Sequence, residues 1–95
     1  MASIFHYGPY PVVSATGALA PGAEDTWWFG PWPWYAFVVS VTAHPLALAG
    51  QDRHLQVTRV SSEANANGDR FVWATVRNIG PNAANYAWWL GGIQP

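Results

Sequence analysis

The sequence predicts an all-β fold, a single antiparallel β-sandwich domain of six to seven strands that spans residues 1–95. Val, Thr, Trp, Tyr and Phe, which favour strands, are abundant, whereas nine glycines and eight prolines leave no long stretch for a helix. Apolar and polar residues alternate with period two in several segments. Turn signals separate these segments at short intervals, as in sandwiches and barrels.

The alternation predicts which face of each strand lies in the core. Within 54–60, Leu55 and Val57 alternate with polar residues. Within 71–79, the small apolar residues alternate with a second set that includes Trp73. In 35–43 the predicted core face consists of Tyr35, Phe37, Val39, Val41 and Ala43. The predicted strands span residues 3–7, 12–19, 25–29, 35–43, 54–61, 70–79 and 86–93.

Glycine and proline mark the connections between strands. Pro21-Gly22 predicts a type II turn, because Pro fixes φ at the first central position and Gly accepts the positive φ of the second. Asn67-Gly68 predicts a tight hairpin turn. The segment 30–33 contains two prolines, which remove two backbone donors, so it belongs to a loop or an edge and not to a central strand.

Strands of this number and spacing favour an immunoglobulin-like sandwich or a jelly roll, with a small closed barrel as the alternative. One short internal similarity is present. Residues 26–30 and 87–91 each contain two tryptophans followed by an apolar residue and a glycine. We interpret them as two similar strand ends on the same rim of the domain.

Charge is scarce in this chain. Charged residues make up 9% of the sequence, against a usual value of about 25%, and all four cations are arginines. A surface with so little charge is poorly solvated as a monomer, which favours a homo-oligomer. The net charge of −1 argues against nucleic acid as a partner, because such binding needs clustered Lys and Arg.

The sequence shows no sign of a membrane span or of a secretory signal. Residues 26–51 carry no formal charge, but polar residues and a proline interrupt their most apolar part, so they fit a buried strand better than a spanning helix. The first six residues lack a basic region followed by an apolar run, so no signal peptide is visible. The localisation stays open, and use outside the cell is compatible with a signal removed earlier.

No catalytic or metal-binding motif stands out, and we expect a protein that is not an enzyme and needs no cofactor. The chain has no cysteine, which excludes disulfides and thiol chemistry. His6, His44 and His54 lack the short spacing of metal ligands. Glu24 and Asp25 follow a turn, and as neighbours on a strand they point to opposite faces, which does not suit a catalytic carboxylate pair.

The seven tryptophans are the strongest functional signal. A small sandwich core has room for one or two indoles, and neighbouring strand residues point to opposite sides of the sheet. At least one tryptophan of each adjacent pair must therefore be exposed or covered by another chain. The tryptophans fall into two clusters and one isolated position: Trp27, Trp28, Trp32 and Trp34, then Trp88 and Trp89, with Trp73 alone.

We interpret the first cluster as an aromatic platform of a non-catalytic, lectin-like carbohydrate-binding module. Indole faces stack on the apolar faces of sugar rings, and nearby polar side chains bind the hydroxyls. The alternative is a self-assembling structural subunit whose tryptophans are buried between copies. A third interpretation is that the indoles brace a small core. The predicted ligand-binding residues are Trp27, Trp28, Trp32, Trp34 and Tyr35. The predicted interface residues are Trp88, Trp89, Phe5 and Tyr7.

The segment from Asp69 to Gly80 ends in Val76-Arg77-Asn78-Ile79-Gly80. This pattern resembles the cell-adhesion-related immunoglobulin-like domains of bacteria, in which a strand ends in a Val-x-Asn-x-Gly turn. The resemblance covers about 20 residues of the chain. It implies a β-sandwich of the adhesion or accessory type without catalytic activity, and it assigns no functional residue.

Overall fold

A computed structural model of the chain describes residues 3–10, 17–33 and 36–94. The strands are β1 (Ser3–Tyr10), β2 (Glu24–Trp32), β3 (Phe37–Pro45), β4 (Leu55–Ala64), β5 (Arg70–Asn78) and β6 (Tyr86–Gln94). They form two three-stranded antiparallel sheets, sheet I with the order β1-β6-β3 and sheet II with the order β2-β5-β4. The two sheets pack as a sandwich, which confirms the predicted fold class.

Six of the seven predicted strands are present in the described residues. The exception is 12–19, of which residues 12–16 lie outside the described ranges. The remainder of that segment contributes one isolated bridge, between Leu19 and Ala84. Segment 30–33 was predicted to be a loop or an edge, and Gly30 to Trp32 belong to β2, an edge strand of sheet II.

Each sheet has one central strand, β6 in sheet I and β5 in sheet II. The pairings β2-β5-β4 and β3-β6 have the connectivity of strands B-E-D and C-F in immunoglobulin-type sandwiches. Strand β1 completes sheet I by pairing antiparallel with β6. The central strands β5 and β6 are the most buried, because each has a neighbour on both sides and the opposite sheet over its inner face.

The core combines large rings on one sheet with small residues on the other. Tyr86, Trp88 and Leu90 on β6 have no exposed surface. On β5 the inner face carries small residues, among them Ala74 and Val76, which leave room for these rings. Alternating large and small side chains across facing positions is how two sheets about 10 Å apart fill the space between them.

The side of the sandwich formed by β1 and β2 is filled by aromatic rings, which we call the aromatic layer. Trp88 of sheet I meets Phe29 of sheet II with ring centroids 5.6 Å apart and the rings at 72°. Tyr7 meets Trp32 at 5.4 Å and 85°. Such edge-to-face pairs contribute about 0.5–1.5 kcal/mol beyond area burial. The layer consists of Phe5, Tyr7, Tyr10, Trp27, Phe29, Trp32, Tyr86 and Trp88.

Each of the four strand pairs that the structure describes contains a register shift of the β-bulge type. The shift in β3 lies between Val38 and Ser40 and reverses the inside–outside alternation at that point. The prediction that Phe37 and Val39 face the core is therefore wrong. Both are exposed, Val39 to 65%, whereas Val38 and Val41 point inward.

Strands β1 and β2 share a local motif, an aromatic residue followed by Gly, Pro and a second aromatic residue. The motif is Tyr7-Gly8-Pro9-Tyr10 in β1 and Phe29-Gly30-Pro31-Trp32 in β2. Both Gly-Pro bonds are cis, and each motif coincides with the register shift of its strand. Gly8 and Gly30 have φ values of 140° and 143°, which side-chain-bearing residues rarely adopt.

The motif brings two inward aromatic rings together at the edge of each sheet. A Cβ atom at Gly30 would lie 2.7 Å from the carbonyl oxygen of Arg70, and one at Gly8 would lie 2.7 Å from that of Trp88. The backbone of each edge strand thus approaches its central strand more closely than any side chain permits. Proline and bulges also discourage other chains from pairing with these edges.

The predicted turns form. Ala23 donates its backbone N–H to the carbonyl of Ala20 at 2.9 Å, and Gly22 has a φ of 80°, as a type II turn requires. The hairpin loop at Asn67-Gly68 is longer than the predicted tight turn, and hydrogen bonds to the Asn65 side chain close it. The Oδ1 atom of Asn65 accepts hydrogen bonds from the backbone N–H groups of Asn67 and Asp69, both at 3.0 Å.

Asn78, within the Val76–Gly80 pattern, ties the end of β5 to the neighbouring loops. It is 1% exposed, and its Nδ2 group donates to the carbonyls of Leu19 and Asn82, both at 2.8 Å. Its Oδ1 atom accepts from the N–H of Gly80 at 2.9 Å. The pattern that suggested the family resemblance therefore has a structural role in this chain.

We expect Gly30→Ala to lower the free energy of unfolding by on the order of 1–3 kcal/mol, because the backbone conformation and the Arg70 carbonyl both oppose a Cβ atom. Gly17→Ala is the matched control, since no atom of the described residues lies within 4 Å of a Cβ atom built there. Urea denaturation followed by circular dichroism measures both. Equal stability of the two variants would contradict the described geometry of the β2 bulge.

Candidate functional site

The structure separates the adjacent tryptophans as predicted. Trp28 is 54% exposed and Trp89 is 39% exposed, whereas Trp27 is partly buried and Trp88 fully buried. The two outward indoles belong to different sheets, so they lie on opposite outer faces of the sandwich. Segments 26–30 and 87–91, interpreted from the sequence as similar strand ends on one rim, lie within β2 and β6 and pack against each other across the core through Phe29 and Trp88.

The described members of the predicted platform do not share one surface. Trp27 and Trp32 point inward and belong to the aromatic layer, whereas Trp28 points outward from the same strand. The Nε1 atom of Trp32 donates to the carbonyl of Phe29 at 3.0 Å, which holds that ring inside. Trp34 and Tyr35 were also predicted to bind ligand, and they lie outside the described residues.

Of the predicted interface residues, only Trp89 lies on an outer face. Trp88 has no exposed surface and packs in the core of the sandwich. Phe5 and Tyr7 point inward and contact Trp32, although Tyr7 keeps a partly exposed edge.

The outer face of sheet II brings together two tryptophans that are far apart in sequence. Trp28 of β2 lies directly opposite Trp73 of β5, which is 38% exposed. Directly opposite residues have Cβ atoms about 4.5–5.5 Å apart, so the two indoles are neighbours. Phe71 adds a third ring, with its centroid 5.7 Å from that of Trp28. We call this surface the indole face.

Polar side chains surround these rings. Trp73 donates its Nε1–H to the Oε1 atom of Glu63 at 3.0 Å, which orients the indole. Thr26 and Thr75 share a hydrogen bond of 2.9 Å between their Oγ1 atoms. The pairing register also places charges of both signs on this face. These are Glu24 beside Arg77, with Arg59 and Glu63 on β4.

Two depressions flank the indoles. A groove of about 330 Å³ lies at the sheet edge and is lined by Trp28, Trp27 and the two tyrosines of β1, among others. A hollow of about 210 Å³ lies on the face itself between Thr26, Arg59 and Trp73. Thr26 lines both, so groove and hollow form one surface that crosses the strands of sheet II.

In the sequence, Trp73 stands apart from the two tryptophan clusters. Its exposure could be predicted, because alternation in 71–79 places Trp73 on the other side of the strand from the small residues that form the core face of β5. Its neighbour could not be predicted, because β2 and β5 pair across about forty intervening residues and no short turn sets their register.

The three histidines lie on separate elements of the structure. His6, His44 and His54 lie on β1, on β3 and just before β4, respectively. Within residues 3–10, 17–33 and 36–94, no three His, Asp or Glu side chains come together in a way that could hold a metal ion. Glu24 and Asp25 point to opposite faces, as predicted.

The inward carboxylate of Asp25 has a structural partner. Tyr86 donates its hydroxyl to the Oδ2 atom of Asp25 at 2.7 Å, and Trp27 donates its Nε1–H to the Tyr86 oxygen at 2.8 Å. Burial raises the pKa of the Tyr86 phenol above its ordinary value of about 10, and the hydrogen bond to Asp25 raises it further. This chain of bonds holds Trp27 in the aromatic layer.

Comparison of the chain with family models, with curated proteins and with solved structures finds no match. In the part of the chain that the structure describes, no helix is long and apolar enough to span a membrane.

We expect Tyr86→Phe to lower the free energy of unfolding at pH 7 by about 1–3 kcal/mol, since Asp25 loses its donor. Because the folded-state pKa of Tyr86 is raised, the wild-type advantage is complete below pH about 10 and shrinks as the pH rises through the folded pKa. Urea denaturation of both proteins at neutral and alkaline pH measures this. A difference that does not change with pH would contradict the assignment.

Proposed function

We propose that this chain is a non-catalytic carbohydrate-binding module that holds its ligand on the indole face. The observation that carries the proposal is the side-by-side placement of Trp28 and Trp73 on one exposed sheet surface, bordered by hydrogen-bonding groups. The resemblance of the Val76–Gly80 segment to adhesion-related domains implies a module of the same non-catalytic class.

The chemistry of this surface suits a sugar chain. The ring C–H groups of a pyranose form apolar faces that pack on indole, while its hydroxyls need donors and acceptors around the rim. Glu63 and Thr26 supply acceptors, and Arg59 supplies charged donors beside the indoles. Because the face carries both signs of charge, it favours a neutral glycan over a strongly charged polymer.

The orientation of Trp73 supports a preformed site. Its hydrogen bond to Glu63 and its position on the central strand β5 restrict the indole before any ligand arrives. A rigid aromatic surface loses little conformational entropy on binding. Sheet positions also hold side chains more precisely than loops do.

An open sheet surface covers only one side of a sugar chain, whereas enclosed pockets bury most of their ligand. Binding by one copy is therefore expected to be weak. Presentation of several copies would raise the apparent affinity by a factor of about 10²–10⁴ when the ligand spans them. Multivalency through oligomerisation is thus part of the proposed function.

The test is binding of the wild-type chain and two single variants to insoluble cellulose, chitin and xylan and to their soluble oligosaccharides. We expect Trp73→Ala to weaken binding at least about tenfold, because truncating a central aromatic anchor typically costs more than 1 kcal/mol. For the soluble oligosaccharides, which bind one copy at a time, Trp89→Ala is the matched control, since Trp89 is exposed to nearly the same degree on the opposite face. Circular dichroism verifies that both variants fold.

Two outcomes would contradict the proposal. One is that the wild-type chain binds none of these polysaccharides. The other is that it binds, but Trp89→Ala weakens binding to the soluble oligosaccharides as much as Trp73→Ala does, which would move the site away from the indole face.

A further inference from the structure

Strand β4 is the edge of sheet II on the side away from the aromatic layer. From Arg59 to Ala64 it pairs with β5 in unbroken register, beyond the shift that follows Val57, and this segment contains no proline. In the described part of the chain no strand pairs with the other side of β4, so its outward backbone N–H and C=O groups are open to a further strand. We call residues 59–64 the β4 edge.

Sheet I does not cover the inner side of the β4 edge. Val60 lies opposite the core residue Ala74, so both side chains point inward, yet Val60 is 52% exposed and Ala74 only 1%. Ser62 and Ala64, the next inward residues, are exposed as well. Among the described residues, sheet I therefore ends short of this edge, which leaves room for a strand beside β4.

The outer side of the β4 edge carries two opposite charges, Arg59 and Glu63, placed symmetrically about Ser61. Four residues along a strand span about 13 Å, which keeps the two groups apart within one copy. Glu63 accepts the indole N–H of Trp73 through Oε1 only, whereas Arg59 makes no hydrogen bond or ion pair with the described residues. Both groups therefore have capacity for a partner of opposite charge.

We propose that two copies of the chain associate through the β4 edge, as antiparallel strands related by a two-fold axis at Ser61. In this register Arg59 of each copy lies directly opposite Glu63 of the other, because in a two-fold interface residue i meets j while j meets i. Opposite charges at directly opposite positions stabilise an antiparallel pair. On the inner side Val60 lies opposite Ser62, so no charge faces inward.

Charge selects this register over its neighbours. In an antiparallel pair of identical strands the axis passes through a residue, because the backbone groups of both opposed residues must point toward the partner strand. An axis at Val60 places Arg59 opposite Ser61, and an axis at Ser62 places Glu63 opposite Ser61. Only the axis at Ser61 sets each charge of the segment opposite its complement.

A second copy fits the β4 edge better than protection against pairing does. Edge strands repel other strands with inward-pointing charges, bulges or proline. The β4 edge has none of these, and its two charges point outward and complement each other under two-fold symmetry. The self-complementary pattern also favours a second copy over an unrelated peptide, which would need the same spacing of charges.

The pairing would join two copies of sheet II into one six-stranded sheet with the order β2-β5-β4-β4-β5-β2. Opposed residues of an antiparallel pair point to the same side, so the two indole faces would share one surface. One extended glycan could then contact both faces, which provides the multivalency of the proposed function. That last step rests on the proposed function, whereas the dimer itself does not.

Sedimentation velocity over roughly two orders of magnitude in concentration, up to the ~100 µM range, tests the proposal. We expect the wild-type chain to form dimers. Arg59→Glu and Glu63→Arg, each alone, should remain monomeric throughout, because each places like charges opposite each other. The double variant Arg59→Glu/Glu63→Arg should form dimers again, since it restores both ion pairs with the signs exchanged.

Val60→Lys provides a further variant outside the indole face. It places an inward-pointing lysine on the β4 edge and should abolish association. Val39→Lys is the matched control, because Val39 is exposed to 65% on β3 of the other sheet. It should associate as the wild type does.

Three outcomes would overturn the proposal. They are a wild-type chain that stays monomeric, single charge variants that associate as strongly as the wild type, and a double variant that associates no better than the single ones. Wild-type dimers that bind no polysaccharide would overturn the proposed function and leave the dimer standing.

Discussion

Trp88 packs edge-on against Phe29 of the opposite sheet, and the other inward rings of β1, β2 and β6 gather around that contact. Its indole N–H has no hydrogen-bond partner among the described residues, so the ring serves as an apolar filler whose polar edge costs about 1–3 kcal/mol. The aromatic packing offsets that cost. Because Gly8 and Gly30 have no side chain, the edge strands approach the central strands closely, and their aromatic rings reach the core. The aromatic layer therefore depends on these two glycines.

Because side chains alternate along a strand, the inward rings determine which residues point outward. Burial of Trp27 and Phe29 exposes Trp28, and burial of Trp88 and Leu90 exposes Trp89. The two outer faces therefore differ in the side chains that they expose. Sheet II carries indoles among charged and hydroxyl groups, which suits a sugar ligand. Among the described residues, the outer face of sheet I carries indole and aliphatic groups without charged side chains. The exposed tryptophans thus lie on two chemically different surfaces.

Local patterns predicted the strands, the Pro21-Gly22 turn and the division of each tryptophan pair, because alternation and turn chemistry are encoded within a few residues. Two kinds of feature could not be predicted from these local patterns. The bulge in β3 adds one residue and inverts the alternation, which exposes Phe37 and Val39 against expectation. The pairing of Trp28 with Trp73 depends on the register of strands distant in sequence, which only the assembled sandwich fixes. Of the predicted platform, Trp27 and Trp32 pack against the core and Trp28 is exposed.

The division of the indoles into inward and outward groups is the central claim, and nuclear magnetic resonance tests it directly. The indole N–H signals are recorded with and without a soluble paramagnetic agent that broadens only solvent-accessible groups. The structure predicts strong broadening for Trp28 and a protected, sharp signal for Trp88, which is fully buried. A Trp88 signal that broadens as much as that of Trp28 would contradict the aromatic layer, and with it the assignment of both outer faces.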